Sequence, residues 1–487
     1  MKIPPVIVWF RNDLRLSDHP ALAAASALGQ PIVPVYILDE HSPGTWAAGG
    51  AARWWLHHSL SALKSSFIKS GLDLLLLRGP AGLVLHRLVR ETGAQAVFWN
   101  RLYEPWAMQR DRQIKHSLRT AGVMVRSFNA SLLFEPTSIR TRDGEPYRVF
   151  TPFWRACLAA PELPAPLALP DLSASRGFPL PFGERLEDWR LLPTAPNWAG
   201  GLQAAWQPGE AGAQARLQAF LADGLNRYGS ARHRPDQAGT SRLSPHLHWG
   251  EISPRQVWHA AKTQPNAEAF LRQLGWREFS YHLLSAFPSL PEEPLDPRFQ
   301  TFPWAENAEA LACWQRGRTG YPIVDAGMRE LWQTGWMHNR VRMICASFLV
   351  KDLLMPWQHG ERWFWDTLVD ADLANNAAGW QWVAGCGADA APYFRIFNPV
   401  LQGEKFDPDG DYVRKFVPEL AKLPARFIHR PWEAPPAVLT AAGIKLGTTY
   451  PAPLVDHRAA RERALASFAR ISAAHPASKR EEKASLA

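Results

Sequence analysis

The stretch Trp357-Gln-His-Gly-Glu-Arg-Trp363-Phe-Trp365-Asp-Thr-Leu368-Val369-Asp370-Ala-Asp372-Leu373-Ala-Asn375-Asn376-Ala-Ala-Gly-Trp380-Gln-Trp382 sets the terms for reading the rest of the chain. It places five tryptophans around a polar knot of Asp370, Asp372, Asn375 and Asn376. Its apolar members Trp365, Leu368, Val369 and Leu373 recur at the spacing of a buried helical stripe, which predicts a core helix. A core helix rarely carries two acids and two amides beside such a stripe, because each buried polar group needs a partner. Two readings remain open at this point. One is a capped helix end with solvated acids; the other is a large polar heterocycle that takes up those hydrogen bonds, with indoles placed to stack on it or pass electrons.

Working outward, 487 residues suit two or three domains with at least one large core. Lys and Arg number 54 against 45 Asp and Glu, a net charge of +9 compatible with a polyanionic partner. Cys157, Cys313, Cys345 and Cys386 stand far apart with no C-x-x-C pair, so reduced thiols are expected and no zinc site. Neither a leader nor an apolar span of membrane length is visible, and a cytoplasmic location is expected. The 23 tryptophans exceed what core filling calls for.

The N-terminal part alternates short apolar runs with helical spacing. Pro5–Phe10, Pro31–Leu38, Leu72–Leu77, Ala94–Asn100 and Val123–Asn129 predict five strands, and Leu83, Leu85, Leu88 and Val89 mark one intervening helix. This order predicts a parallel sheet covered on both faces. No G-x-G-x-x-G follows the first strand, which excludes a glycine-rich dinucleotide turn there; the segment after Trp99-Asn100 is a candidate ligand lip. Between Ala159 and Pro208 the chain turns proline-rich, with Pro179 and Pro181 among eight such residues, and reads as a long connector. Beyond it the pattern is helical: Leu217, Phe220 and Leu221 within Ala213–Leu225; Val324, Met328, Leu331 and Trp332, halted near Gly335; then Met337, Val341, Ile344, Cys345, Phe348 and Leu349. Lys479–Lys483 read as a frayed tail.

Three further places depart from plain packing. Thr240-Ser241-Arg242-Leu243-Ser244, with Tyr228 before it, sets hydroxyls and a guanidinium in a turn leading to a helix; that suits a pyrophosphate, or serves as an ordinary N-cap. Gln273, Trp276 and Arg277 share a helix face that offers an amide, a stacking plane and a cation, or else a surface Arg–Glu pair around a half-buried Trp. Asn339, Arg342 and Met343 fall together while Val341, Ile344 and Cys345 point elsewhere, so one helix buries two faces, one of them polar.

In series, Trp9–Arg15, Thr240–Ser244, Trp276–Phe279, Thr319–Asp325, Gly335–Arg340, Asp370–Trp382 and Gln402–Asp407 resemble the photolyase/cryptochrome family, in order over about residues 5–465. The look is that of bacterial cyclobutane pyrimidine dimer photolyases. The resemblance implies an α/β plus all-α fold: a Rossmann-like antenna domain with a parallel five-stranded sheet (1–132), a linker (133–207), an all-helical FAD- and DNA-binding domain (208–472) and a disordered tail (473–487). It implies light-driven repair of dimers in damaged DNA by electron transfer from reduced FAD, in a monomer needing no metal and no membrane. Carried over residue by residue, Tyr228, Thr240, Ser241, Arg242, Leu243, Ser244 and Phe270 would hold FAD. So would Arg277, Trp336, Asn339, Arg342, Asp370, Asp372 and Asn376, with Asn376 at the flavin nitrogen that takes up a proton. Trp380, Trp357 and Trp304 match the electron-hopping chain. Trp276 and Trp382 match the pair that grips a flipped-out dimer, with Gln273, Asn339 and Met343 beside it and Arg340 and Arg395 at DNA phosphates.

Two places depart from the family pattern. At Gln273 the dimer-repairing branch usually has Glu, and Gln is typical of (6-4) photolyases and animal cryptochromes; those relatives, however, carry His where this chain has Asn339 and Met343. Trp106 and Ala107 replace the Asn and Glu of some folate-binding members, while Trp365–Leu368 and Leu446-Gly447 have a plant-cryptochrome texture. The antenna expected from this is methenyltetrahydrofolate, with 8-hydroxy-deazaflavin as the alternative. A cryptochrome-type photoreceptor is the competing function; it would keep FAD and the tryptophans and signal to proteins. A non-catalytic flavoprotein or nucleic-acid-binding module would need no tryptophan series.

Overall fold

Val6-Ile-Val-Trp-Phe10 is apolar at every position, the pattern of a strand covered on both faces, and all five residues are buried. The computed structural model describes residues 3–175 and 182–474. The chain divides into a first unit of Met1–Gly229, Thr240–Pro288 and Trp365–Ala374, and a second of Ser230–Gly239, Ser289–Phe364 and Asn375–Ala487.

In the first unit β1 (Val6–Phe10) pairs in parallel with β2 (Ile32–Leu38) and β4 (Ala96–Asn100). The edges are β3 (Leu75–Arg78) and β5 (Met124–Phe128), giving the order β3-β2-β1-β4-β5. The five expected strands are therefore present. Ile7, Trp9, Val35, Val97 and Trp99 pack with Leu85, Leu88 and Ile114 of the covering helices. Leu83 does not join them; it is 73% exposed. It stands two positions before Leu85, so helical geometry turns it to the far side.

The segment after β1 is a structural tie. Arg15 is buried and donates to the carbonyls of Asp18, Ala130 and Gly250, the last at 2.8 Å. A guanidinium saturated by main-chain oxygens has little left for a ligand phosphate.

The stripe expected from Trp365 to Leu373 is not one helix. Helices Trp357–Thr367 and Leu373–Ala384 are separated by a turn. Leu368, Val369 and Leu373 are buried, but the Val369 carbonyl accepts the Trp249 indole N–H at 3.0 Å in place of an intrahelical donor. Asp370 and Asp372 add side chains that compete with helical hydrogen bonding. Trp365 is half-buried and donates to the Ala47 carbonyl at 2.8 Å. The helix expected over Ala213–Leu225 ends at Ala219 and continues as a wider turn, Phe220–Gly224, with Leu217 and Phe220 buried.

In the second unit, Pro322–Thr334 buries Val324, Met328 and Leu331 and stops at Gly335, whose φ of 66° is the left-handed C-cap that glycine favours. Trp332, expected in this stripe, is 54% exposed and stacks on Trp363 with centroids 6.1 Å apart. The Thr319–Asp325 motif is a buried clamp: Asp325 accepts from the Thr319 main chain and hydroxyl, from the Gly320 amide at 3.1 Å, and from the Tyr450 hydroxyl at 2.7 Å. Asn339–Ser347 buries Val341, Ile344 and Cys345, while Asn339, Arg342 and Met343 keep solvent access. All four cysteines are free thiols. Pro179, Pro181 and the expected tail at Lys479–Lys483 lie outside the described residues.

Candidate functional site

Asp372 organises the polar residues of the first unit. Its carboxylate accepts from the Tyr281 hydroxyl and meets His248 Nδ1 at 3.3 Å. Burial opposes its charge, yet His248, Arg277 and the Tyr281 hydroxyl hold its carboxyl well below the usual range. Glu104 goes the other way: burial, then the charge of Asp372, pushes its carboxyl up. Arg277 donates to the Ser131 carbonyl at 2.7 Å and lies over the Tyr281 ring. Asp370 is buried alongside.

The Tyr228–Ser244 set separates into packing and polar members. Tyr228, Phe270 and Leu243 belong to one hydrophobic cluster, with the Tyr228 and Phe270 rings edge to face at 5.6 Å. Leu243 therefore has only its main chain to offer a ligand. Arg242 takes a left-handed φ of 51°, and its guanidinium sits 4.5 Å over Trp206. Thr240 and Ser241 stay partly accessible and Ser244 is exposed, ahead of the short helix Ser244–His248.

Gln273, Trp276 and Arg277 lie on the Glu268–Ala286 helix, each half-buried. Trp276 stacks flat on Phe150, with centroids 3.8 Å apart and planes 7° from parallel. A Cβ built on Gly275 would overlap Trp154, so only glycine lets the helix approach this closely. Glu278 is not a surface partner of Arg277. It is fully buried and accepts the amides of Leu133 and Phe134 at 2.9 and 3.1 Å. Burial, countered by Arg277, pushes its carboxyl up to about 7.

In the second unit Asn376 donates through Nδ2 to the Glu361 carbonyl at 2.9 Å, which fixes its amide and leaves its oxygen as an acceptor. Trp380 packs against Gly360, where a Cβ would overlap the indole, and its ring lies 5.0 Å from Phe364. Trp380 and Trp357 are 2% and 1% exposed, whereas Trp304 is half-buried beside Phe302. Asn339 is exposed and directs Nδ2 toward Met343 Sδ at 3.9 Å; Trp382 is half-buried and Arg395 exposed. Arg340 meets His233 at 3.0 Å and lies over Phe406. Burial first, and then the charges of Arg340, Arg232 and Lys405, push His233 down to about 4. Arg342 donates to the Met337 carbonyl at 2.8 Å and its guanidinium lies 6.0 Å from the buried Trp336 ring.

A cavity opens at the C-terminal ends of β1, β2 and β4 in the first unit, where the lip after Asn100 is expected. Trp9, Trp46, Trp106 and Trp365 give it aromatic walls, and Asp39, Glu104, Arg53 and Arg110 give it charge. Arg110 lies 4.8 Å over Trp9 and 5.0 Å over Trp106. Ala107 is fully buried and is not among the lining residues.

Sequence reasoning missed Phe150, His248 and Tyr281, which back or bind the predicted residues. Only Tyr281 had a signal, four residues after Arg277 on the same helix face. Among the described residues no His/Cys/Asp/Glu group could hold a metal, and no helix is long and apolar enough to cross a membrane.

Comparison with known proteins accounts for this arrangement. A family model described as DNA photolyase matches residues 6–171, and one described as the FAD binding domain of DNA photolyase matches residues 270–470. The chain is 54% identical to the deoxyribodipyrimidine photo-lyase of Agrobacterium fabrum, over 97% of this chain and 99% of that one. It is 42% identical to cryptochrome-1 of Arabidopsis thaliana, over 94% of this chain and 69% of that one. A crystal structure of a bacterial class III photolyase from Agrobacterium tumefaciens superposes with a TM-score of 0.94 at 54% identity, covering 97% and 98% of the two chains. With two family models in sequence order and such identity over nearly the whole length, the chain belongs to the photolyase/cryptochrome family.

Proposed function

We propose that this protein reverses cyclobutane pyrimidine dimers in DNA with light, acting in the cytoplasm as a monomer that holds FAD. The observation that carries the repair reading is the Trp276 wall. Its indole is backed flat by Phe150 and half-buried, so it is preorganised to stack a base without reordering. A lesion in a duplex must be flipped out to be reached, and the damage lowers the unstacking cost.

The residues present fit FAD. Asn376 keeps an amide oxygen for a ring N–H, Trp380 Nε1 is buried with no hydrogen-bond partner among the described residues, and Asp372 is an ionised acceptor. When bound, reduced FAD supplies the light-driven electron. Thr240, Ser241, Arg242 and Ser244, with the Leu243 main chain, would bind its phosphates. Arg277, Asp370, Asp372, Trp336, Asn339 and Arg342 would orient its rings, and Tyr228 and Phe270 would support them. Asn376 would hold a proton at the ring nitrogen. Trp276 and Trp382 would grip the dimer, Gln273, Asn339 and Met343 would contact it, and Arg340 and Arg395 would bind phosphates with salt-sensitive affinity. Trp380, Trp357 and Trp304 would carry electrons inward.

The cavity at the strand ends would take the antenna. Its Trp walls suit a flat heteroaromatic ring, its acids the ring N–H groups, and Arg53 or Arg110 an acidic tail, which favours methenyltetrahydrofolate over 8-hydroxy-deazaflavin.

The test is illumination of the reduced protein with a dimer-containing oligonucleotide. The expected result is about one FAD per chain, repair in light and none in the dark. FAD without repair would assign the photoreceptor function instead; a stably folded protein with no flavin would end both readings.

A further inference from the structure

A cluster of positive side chains in the second unit contains a histidine that the repair reading leaves unused. The segment Ser230–Gly239 brings His233 against the Asn339–Ser347 and Pro399–Phe406 helices. The Phe406 ring gathers them: the Arg340 guanidinium lies 4.5 Å from its centroid, Lys405 Nζ 5.4 Å and the His233 ring 6.1 Å. His233 Nδ1 meets Arg340 Nη2 at 3.0 Å, and its Nε2 meets Arg232 Nε at 3.3 Å. Both arginine nitrogens are donors, whereas a neutral imidazole has one acceptor nitrogen. One contact is therefore a hydrogen bond, and the other sets one N–H against another.

No acid relieves this. Among the described residues none of His233, Arg340 and Lys405 meets a carboxylate, and Arg340 Nε is buried without a hydrogen-bond partner. Asp236, the acid nearest in sequence, is taken by Arg234 at 2.8 and 2.6 Å. His338, which caps the Arg340 helix, is the other titratable neighbour; its ring is pushed down to about 4 by burial, then by Arg340 and His233. Burial, and then Arg340, Arg232 and Lys405, keep His233 neutral in the same way. Cations crowded without a counter-charge repel one another, and an anion seated among them turns that repulsion into attraction. A phosphodiester suits the place. Its two free oxygens accept charge-assisted hydrogen bonds from guanidinium, imidazolium and ammonium groups.

We propose that Arg232, His233, Arg340 and Lys405 form one site for a backbone phosphate of DNA, with His233 taking up a proton as the phosphate arrives. The inference rests on the proposed contact of Arg340 with DNA and adds the proton to it. The proton comes from solvent and joins the ring nitrogen that accepts from arginine in the free chain. Arg232 and Arg340 then turn donors to the phosphate oxygens, and the imidazolium N–H donates to the same group. No covalent bond other than that N–H is made or broken. The negative charge favours the protonated ring, so its midpoint rises from about 4 toward the ordinary histidine value near 6.5. Between those two values the complex holds more protons than the free chain. Binding therefore tightens as pH falls through the raised midpoint and does not depend on this ring above it.

Anisotropy titration of the FAD-loaded full chain with a dimer-containing duplex, in the dark and at fixed salt, tests this. From about pH 7.5 to about pH 5.5 the affinity of the natural protein should rise about tenfold. Calorimetry toward the lower pH, in buffers of different ionisation enthalpy, should show net proton uptake on binding. His233→Asn keeps a donor and an acceptor but does not titrate, so it should lose most of that rise; other histidines, His338 included, contribute equally to both forms. His233→Lys carries a fixed charge and should lose the rise while binding at the higher pH at least as tightly as the natural protein. An equal rise in His233→Asn would overturn the proposal. So would binding of the natural protein without proton uptake, a result that needs no variant to fold. Arg340→Gln separates the two layers. If it weakens binding and flattens the salt dependence while the natural protein takes up no proton, His233 alone falls; if it leaves both unchanged, the placement of Arg340 at DNA falls too.

Discussion

Trp380 shows how single residues carry the account. Phe in its place keeps most of the packing against Gly360 and Phe364 but is far harder to oxidise than an indole. Trp380→Phe should therefore slow photoreduction of oxidised FAD at least tenfold, as a rough expectation, yet leave repair by chemically reduced protein nearly intact. Unchanged photoreduction would remove Trp380 from the chain. Gln273 is the second case. A Glu here, kept protonated by burial, could stabilise the charge a dimer gains, whereas Gln donates without supplying a proton. Gln273→Glu should raise repair per photon severalfold with little change in dimer affinity, measured by yield and by titration; a lower yield would show the pocket is misread. Asp372 and Asn376 stood out in the sequence as an acid and an amide beside an apolar stripe, and the fold buries both. His248 and Phe150 did not stand out, because each meets its partner across more than a hundred residues of sequence.

At the scale of elements, helix-to-helix approach is set by glycine and by buried acids. Gly360→Ala puts a methyl into the Trp380 ring, an overpacking cost of about 1–3 kcal/mol. Better helix propensity returns at most about 1 kcal/mol. Denaturant unfolding should show a net loss of stability, and a more stable variant would contradict this packing. Glu278 sets a pH dependence in the first unit. Its carboxyl is raised to about 7 in the folded chain, chiefly by burial. The folded state thus binds more protons than the unfolded one between the ordinary carboxylate range and pH 7. The stabilisation is complete below about pH 4 and is lost as pH rises through 7, on the order of 1–3 kcal/mol. Glu278→Gln keeps an acceptor for the Leu133 and Phe134 amides, so its melting temperature should fall less from pH 5 to pH 8 than that of the natural protein. Equal slopes would discard Glu278 as the cause. Helix existence was readable from spacing, but the break after Thr367 was not: apolar periodicity runs through it, and the Trp249 donor that takes the Val369 carbonyl comes from far along the chain.

At the scale of the whole molecule, the parallel sheet was legible because buried strands are written as unbroken apolar runs. The long helical remainder was legible as a class; which helix faces meet which was not. The net charge of +9 is consistent with a DNA partner but does not identify one. With Asn339 and Met343 at the dimer as proposed, neither residue offers an imidazole to move the proton that (6-4) repair would need. The decisive measurement is photons absorbed per lesion repaired by the reduced, FAD-loaded protein, on oligonucleotides carrying either a cyclobutane dimer or a (6-4) product. The account predicts light-dependent repair of the cyclobutane dimer and none of the (6-4) product. Efficient (6-4) repair, or flavin-loaded protein that leaves the cyclobutane dimer untouched in light, would contradict it.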